Sequence, residues 1–447
     1  MRELLVGMAA MFLIACGGSN GGDDGGDDGG DDGPNNCVGL ECQVVNCVKQ
    51  GKDPTTLTGT VFAPNGSLPI YGVNVYVPLD KPPAFNDGAE CGRCGGEVPG
   101  GSIVRVLTDD KGQFRLENVP SGDNIPLVIT TGKWRRQIVV PRVESCSETA
   151  VAATDTRLPK NKSEGDLPKI ALATGNSDAL ECLIRKLGVD DAEVTTDAQS
   201  GRVHLFQGNG ISTIKDIGPI PNATTLWSSV DKLKKYDLVL MSCEGGQHPE
   251  TKPQAALDAM KQYADFGGRV FLSHWHNIWI QGSVEGGQTQ KPTVWPEIAT
   301  WTNAFVTEPN TIDLIDEVAN PKGDSFAQWM LNVMGSTTRG EIPLSNDITG
   351  GSTGRTTCNQ VNATKAERWT YLKGQGGYTQ NFQFTTPNEV MPDQRCGKVV
   401  FSDMHVAGSP AGIEYPTACP LSPLTPQEKA LAFMFFDIAS CVGGPIF

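Results

Sequence analysis

The sequence predicts a multidomain protein, an N-terminal all-β sandwich followed by a C-terminal three-layer α/β domain. Three observations predict it. The chain has 447 residues, more than a single core comfortably organises. Between Thr55 and Cys146, short alternating apolar runs are separated by turn signals at regular spacing. From Lys169 onward, apolar strands alternate with helical patterns, which indicates a parallel sheet with right-handed crossovers.

The chain opens with a short export leader. Arg2 supplies its positive charge, and the apolar run Leu4 to Ile14 is shorter than the ~20 residues of a membrane-spanning helix. Its end, Leu13-Ile14-Ala15-Cys16, resembles the lipobox of bacterial lipoproteins. That resemblance implies a signal peptide over 1–15, cleavage before Cys16 and lipidation of that cysteine. The alternative is an ordinary signal peptide with a chance cysteine. Residues 17–36 repeat Gly-Gly-Asp-Asp without a hydrophobic side chain, so they cannot bury enough surface to order themselves. Residues 16–54 read as a lipid-anchored disordered tether followed by a Cys-rich lead-in. The implied address is the bacterial cell envelope, on the outer membrane or its periplasmic face, with the membrane as partner through Cys16. The net charge of −15, part of it in the tether aspartates, argues against nucleic acid as a partner.

Of 13 cysteines, setting Cys16 aside leaves an even number, and an exported chain meets an oxidising compartment. Disulfides are therefore the expectation throughout, Cys243 included. Cys91 and Cys94 form a CxxC that would be half a zinc site, but no second ligand pair stands near it.

In the β region, Val73, Val75 and Val77 fall on one strand face. Asp109-Asp110-Lys111-Gly112 and Gly132-Lys133 read as hairpin connections. Trp134-Arg135-Arg136 reads as a solvated strand with snorkelling arginines. The runs "LTGTVFAPNG", "YGVNVYVP" and "TDDKGQFRLENVPSGD" resemble the carboxypeptidase regulatory-like (prealbumin-like) sandwich domain over 55–150. The resemblance implies a non-catalytic accessory domain. An insertion from Pro82 to Gly101, which carries the CxxC, departs from it. Residues 151–168 read as a linker.

In the α/β region, 169–447, the spacing predicts helices over Ser177 to Leu187, Thr225 to Lys235 and Pro253 to Phe266, the last stopped by Gly267-Gly268. A capping box at Thr425-Pro426-Gln427-Glu428 opens a final helix that is apolar nearly all round. The order "KIALATG", "YDLVLMSCEGG", "ALDAMKQYADFGGRVFLSHWH", "GKVVFSDMH" resembles the flavodoxin-like, class I glutamine amidotransferase-like fold, most of all its ThuA-like branch. In that branch Gly245-Gly246, His274 and His405 match strand-end positions. Amidotransferases carry a cysteine nucleophile where this chain has Ser273-His274, so amidotransferase chemistry is not expected. A Trp-rich insertion fills about 277–395. Its tryptophans either stack on sugars or pack the core, and packing is favoured.

The candidate site residues are Glu244, His274, His276, Asp403 and His405, all at predicted strand ends, where open α/β sheets keep their ligands. His274-x-His276 on an extended segment would point both rings to one side. Such a set can act as acid and base, and His274, His276 and His405 are the candidate ligands of a divalent metal. The structural alternative is that they cap the sheet. Gly350 to Gly354 fits GxSxG but lacks the strand and helix of a nucleophile elbow. No cofactor is expected beyond that metal. The preferred function is a non-catalytic cell-envelope binding protein for a carbohydrate, peptide or protein. The rival is a secreted hydrolase, with or without metal, using the His/carboxylate set.

Overall fold

Seven strands build the first part of the chain: β1 (Thr56–Thr60), β2 (Asn74–Val77), β3 (Val104–Leu107), β4 (Gln113–Glu117), β5 (Gly122–Thr131), β6 (Trp134–Val143) and β7 (Glu148–Ala150). The computed structural model describes residues 37–284, 293–302, 311–344, 354–406 and 412–443. The seven strands form two sheets, β4-β1-β7 and β3-β2-β5-β6, closed on an apolar core. Alternation decides which side chains enter it. On β4, Phe114 and Leu116 point in, while Gln113, Arg115 and Glu117 point out. Val73, Val75 and Val77 are all fully buried in that core. Opposite Phe114 stands Gly59, where a Cβ would lie 2.8 Å from the phenyl ring.

Two local expectations fail here. Asp109 to Gly112 is a turn, with Asp109 Oδ1 accepting from the Lys111 and Gln113 amides, but it does not close a hairpin. It carries the chain from one sheet to the other, since β3 pairs with β2 and β4 with β1. Arg135 is buried rather than solvated. It donates to Asp166 Oδ2 at 2.8 Å and to the Pro83 carbonyl, and its guanidinium lies over the Phe85 ring. The Gly132-Lys133 hairpin between β5 and β6 is as expected.

The rest of the chain begins with β8 (Ile170–Thr174), α1 (Leu180–Lys186), β9 (Val194–Thr195), β10 (Val203–Gln207), β11 (Thr213–Ile214), β12 (Gly218–Pro219), α2 (Val230–Leu233), β13 (Leu238–Met241), α3 (Gln254–Phe266) and β14 (Arg269–Ser273). It continues through α4 (Ile278–Gln281), β15 (Ala299–Trp301), β16 (Ile312–Ile315), α5 (Gly323–Asn332), β17 (Glu341–Pro343), β18 (Cys358–Val361), β19 (Glu367–Leu372) and β20 (Thr379–Thr386), then β21 (Gly397–Ser402), β22 (Glu414–Tyr415) and α6 (Pro426–Ala439). The helix expected over 225–235 shrinks to α2, because Ser229 breaks the run and caps the Lys232 amide.

One ten-stranded sheet dominates, ordered β17-β16-β19-β20-β21-β14-β13-β8-β10-β9. From β21 to β9 the neighbours are parallel, and from β21 back to β17 they are antiparallel. Alternation again sorts the faces. Ala171, Val239, Val270 and Leu272 pack with Leu257, Met260 and Tyr263 of α3. Ile170, Leu238, Leu240 and Phe271 pack with Leu183 of α1 and Leu431 and Phe435 of α6. Helices therefore cover both faces of a central sheet. The Trp-rich segment supplies the antiparallel half, and Trp279, Trp295, Trp329 and Trp369 are each 2 % exposed or less and pack the core, while Trp301 is half-buried.

Gly39–Phe447 forms one compact unit in which sandwich and sheet share a core. Trp134 of the sandwich meets Phe435 and Phe436 of α6 edge-on, and Tyr71 stacks on Phe433. Lys133, at the β5–β6 hairpin tip, reaches Asp237 Oδ1 at 2.6 Å. The 82–101 insertion is fastened across the junction. Cys91 pairs with Cys396 and Cys94 with Cys441, so the CxxC is neither a zinc half-site nor a local staple. Cys47–Cys146 and Cys182–Cys419 complete the pairs whose geometry is described. Among the described residues no helix is long and apolar enough to cross a membrane. The export leader, Cys16 and most of the tether lie outside the described residues.

The Cys91–Cys396 bond closes a chain separation of 305 residues. In the chain-entropy model such a loop stabilises by roughly 5 kcal/mol, and engineered or parallel cross-links deliver less. Replacing both cysteines by serine is expected to cost about 2–4 kcal/mol in urea unfolding while leaving the far-UV spectrum intact. An unchanged transition midpoint would mean that apolar contacts alone hold the insertion in place.

Candidate functional site

Strands β13, β14 and β21 are consecutive neighbours in register, with Met241 opposite Leu272 and Ser273 opposite Ser402. Their carboxyl ends therefore lie level, and the residues that follow converge. At the end of β14 the chain leaves extended geometry. His274 has φ of 40° and opens a single 3-10 turn, His274–Asn277. A left-handed conformation at a non-glycine residue is costly, on the order of 1–2 kcal/mol, and persists only where the surroundings impose it.

That turn separates the two histidines. His274 points into the strand-tip cluster. Its Nδ1 lies 3.5 Å from Cys243 Sγ, its Nε2 lies 3.9 Å from Asp403 Oδ1, and its ring centroid is 5.0 Å from that of His405. His276 points elsewhere. Its Nε2 donates to the Ser242 carbonyl at 2.9 Å, and its Nδ1 accepts from Trp279 Nε1 at 3.0 Å. Both nitrogens are engaged in holding the turn, so the expectation of one His-x-His face fails, because the backbone is not extended there. Glu244 is also withdrawn. Its Oε2 accepts from Lys252 Nζ at 2.5 Å, and the lysine is fully buried.

Of the five candidates, His274, Asp403 and His405 come together, while His276 and Glu244 serve the scaffold. The residue they gain is Cys243. It is not in a disulfide; Cys243 and Cys358 are the free cysteines among the described residues. The even count misled because two thiols, not one, are left over. Asp178 was also missed. It receives the Ser273 hydroxyl on one oxygen and the Val406 amide on the other, tying two strand tips together. Nothing in its local sequence signals this, since its partners lie 95 and 228 residues away. Ser352 of the GxSxG match lies outside the described residues.

Burial governs the electrostatics. Cys243, His274, Asp403 and His405 are each under 5 % exposed. Burial, aided by His405 and Arg355, pushes the His274 imidazole well below its ordinary value, so the ring is neutral. Burial raises the Cys243 thiol to about 12 and the Asp403 carboxyl to about 7, the latter against backbone donors from Cys358 and Thr357. His276 is lowered to about 4 by its burial. At rest the Cys243 thiol and the His274 ring are neutral in a low-dielectric pocket, and the Asp403 carboxyl changes charge near pH 7.

A second feature lies at the other end of the sheet. A cavity of about 430 Å³ sits between the sandwich, the disulfide-fastened insertion and the first residues of β13 and β14. Tyr71, Asn74, Trp329, Phe433 and Phe436 line it. Two of its charged residues are engaged with the walls: Lys133 bonds Asp237 and the Asn86 and Gly88 carbonyls, and Arg269 reaches the Cys396 and Ser440 carbonyls. Its surface is mainly apolar, and of those aromatic rings Tyr71 is the half-buried one. Roughly 17 Å of strand separates the two features, so they are distinct sites.

No protein-family model and no curated protein matches this chain. Among solved structures, a ThuA-like protein from Bacteroides uniformis is 12% identical, covering 60% of this chain and 90% of its own, with a TM-score of 0.32. A cohesin–X-dockerin complex from Acetivibrio cellulolyticus matches at 18% identity over 30% of this chain and 85% of its own, with a TM-score of 0.17. Similarity at this level does not establish a shared fold or a shared activity.

The Asp178 carboxyl is raised by burial from 3.8 to about 7. The folded protein then holds a proton that the unfolded chain has released, so this group's contribution is present below its unfolded value and is lost as pH climbs through 7. A three-unit shift corresponds to about 4 kcal/mol. Asp178→Asn mimics the protonated acid. Its stability relative to wild type is expected to improve by up to about 4 kcal/mol between pH 4 and pH 7, measured by denaturant unfolding. A difference independent of pH would show that Asp178 is ionised in the folded state.

Proposed function

We propose that the protein is a cell-envelope binding protein, tethered through lipidated Cys16, which holds an extracellular ligand without catalysis. The observation that carries this reading is the cavity of about 430 Å³. Its size lies within the range of small-molecule sites. One wall is an insertion that two disulfides lock to the start of β21 and to the chain just beyond α6, which favours a preformed site. Tyr71, half-buried and backed by Phe433 at 5.8 Å, suits the flat face of a sugar or the apolar side chain of a peptide or protein segment.

The domain reading that goes with it is a carboxypeptidase regulatory-like sandwich over 55–150, a connecting segment over 151–168 and a degenerate ThuA-like, amidotransferase-like domain over 169–447. Two features support the latter. The order β10-β8-β13-β14-β21 follows the 2-1-3-4-5 pattern of flavodoxin-like sheets. The strained residue after β14 stands where that fold turns sharply from strand to helix, and here it is a histidine.

A second reading, a secreted hydrolase, is favoured by one contact: His274 Nε2 faces Asp403 Oδ1 at the strand tips. The two readings separate by mutation. A glycan and peptide panel is screened by thermal shift, and the affinity of any hit is measured on variants. Binding at the cavity predicts at least a tenfold loss in Tyr71→Ala and no change in His274→Ala. Turnover of a panel member that disappears in His274→Ala would replace the first reading with the second. The anchor is tested separately: Cys16→Ala is expected to move the protein from the membrane to the soluble fraction, and continued membrane retention would remove the lipoprotein assignment.

A further inference from the structure

The geometry points to a zinc site formed by Cys243 Sγ, His274 Nδ1 and a ring nitrogen of His405, with Asp403 as the carboxylate behind His274. The donor atoms of Cys243, His274 and His405 all lie within 4.8 Å of one another. Zinc bonds are about 2.3 Å to thiolate and 2.0–2.1 Å to imidazole, so the sulfur–nitrogen edge of its tetrahedron is roughly 3.5 Å. The Cys243 Sγ to His274 Nδ1 distance is 3.5 Å, so that edge exists before any ion arrives. His405, within 4.8 Å of both donors, needs to close by at most about 1.5 Å.

The surroundings fit such a site in two further ways. Asp403 is fully buried, and Thr357 and Cys358 amides hold its Oδ2 at 3.0 and 3.3 Å. Its Oδ1 has no hydrogen-bond partner among the described residues and faces His274 Nε2. With Nδ1 on a metal, His274 must carry its proton on Nε2, which then points at Oδ1. That is the carboxylate–histidine–metal arrangement found behind most metal-bound imidazoles. The chain also keeps a thiol at this position while ten other cysteines form disulfides. An exported protein whose other cysteines are oxidised retains a thiol most readily where it is buried or metal-bound.

Binding is balanced in charge and protons. The Cys243 thiol loses its proton to solvent as the sulfur–zinc bond forms, any proton on the Asp403 carboxyl leaves as well, and both imidazoles bind neutral. Thiolate and the Asp403 carboxylate together offset the ion. Three protein ligands leave the fourth position for a water or a small anion. This site does not depend on the cavity at the opposite end of the sheet.

The test uses the whole soluble chain, stripped with chelator under reducing conditions and titrated with zinc against a chromogenic competitor, then loaded with cobalt(II). We expect one zinc per chain, release of one to two protons, and a near-ultraviolet sulfur-to-cobalt charge-transfer band. Cys243→Ser is expected to abolish the band and to weaken zinc at least ~100-fold, and Asp403→Asn to weaken it ~10–100-fold. His248→Ala, which removes an exposed imidazole beside Glu250, is expected to change neither. Wild-type protein that takes up no stoichiometric zinc, or shows no thiolate band with cobalt, overturns the site whatever the variants do. A band that survives Cys243→Ser overturns the assigned ligand. Substoichiometric zinc lost on gel filtration counts as adventitious binding and overturns it too.

Discussion

A helix with apolar side chains on every face cannot rest on the outside of a sheet, and α6 is such a helix. Twelve of its 14 residues are buried. One side lies on the sheet through Leu431 and Phe435. Phe433 is enclosed by Phe326, Trp329, Trp369 and Tyr71, and Phe436 by Trp134. Each large apolar side chain so buried contributes on the order of 1.5–3 kcal/mol. The sandwich is therefore one wall of the α/β domain's own core. Its strands, the antiparallel extension with α5, and the central sheet all meet on this one helix. Its start is fixed by a reciprocal capping box between Thr425 and Glu428, and Glu428 is held in turn by Lys186 of α1.

That arrangement explains the cavity and the disulfides together. Where α6 ends, at Ala439, the sandwich hairpin comes so close that a Cβ on Gly132 would overlap the Ala439 carbonyl. Beyond this contact the two bodies diverge, and the space between them is roofed by the 82–101 insertion. A roof made of Gly, Pro and charged residues has little apolar surface of its own to hold it down. Two covalent links, one to the start of β21 and one to the chain just past α6, take over that task.

Much of this could be read from the residues. Alternation placed Val73, Val75 and Val77 inward, the capping box located α6, and the repeated Gly-strand pattern brought the tips of β13, β14 and β21 to one level. The failures share a cause: each depended on where a chain segment lies relative to another distant one. The turn at 109–112 looks like a hairpin because local spacing cannot say which sheet each flanking strand joins. Arg135 looks solvated until Asp166 and Pro83 are placed beside it. Cys243 looks like half of a disulfide because parity counts cysteines without measuring distances.

His276 and His274 show the same limit at the scale of one side chain. Two residues apart on a strand, they would share a face. The strand stops one residue early, and the left-handed turn at His274 aims the two rings in different directions. His276 and Trp279 then brace the turn from behind, through the Ser242 carbonyl on the neighbouring strand end. From the other side, Ser273 is held by Asp178, which also holds the Val406 amide beside His405. The strained backbone is thus pinned by hydrogen bonds on both sides, from buried groups. Strain maintained at that expense places one imidazole nitrogen against a thiol and the other against a carboxyl, a placement that a relaxed strand end would not produce.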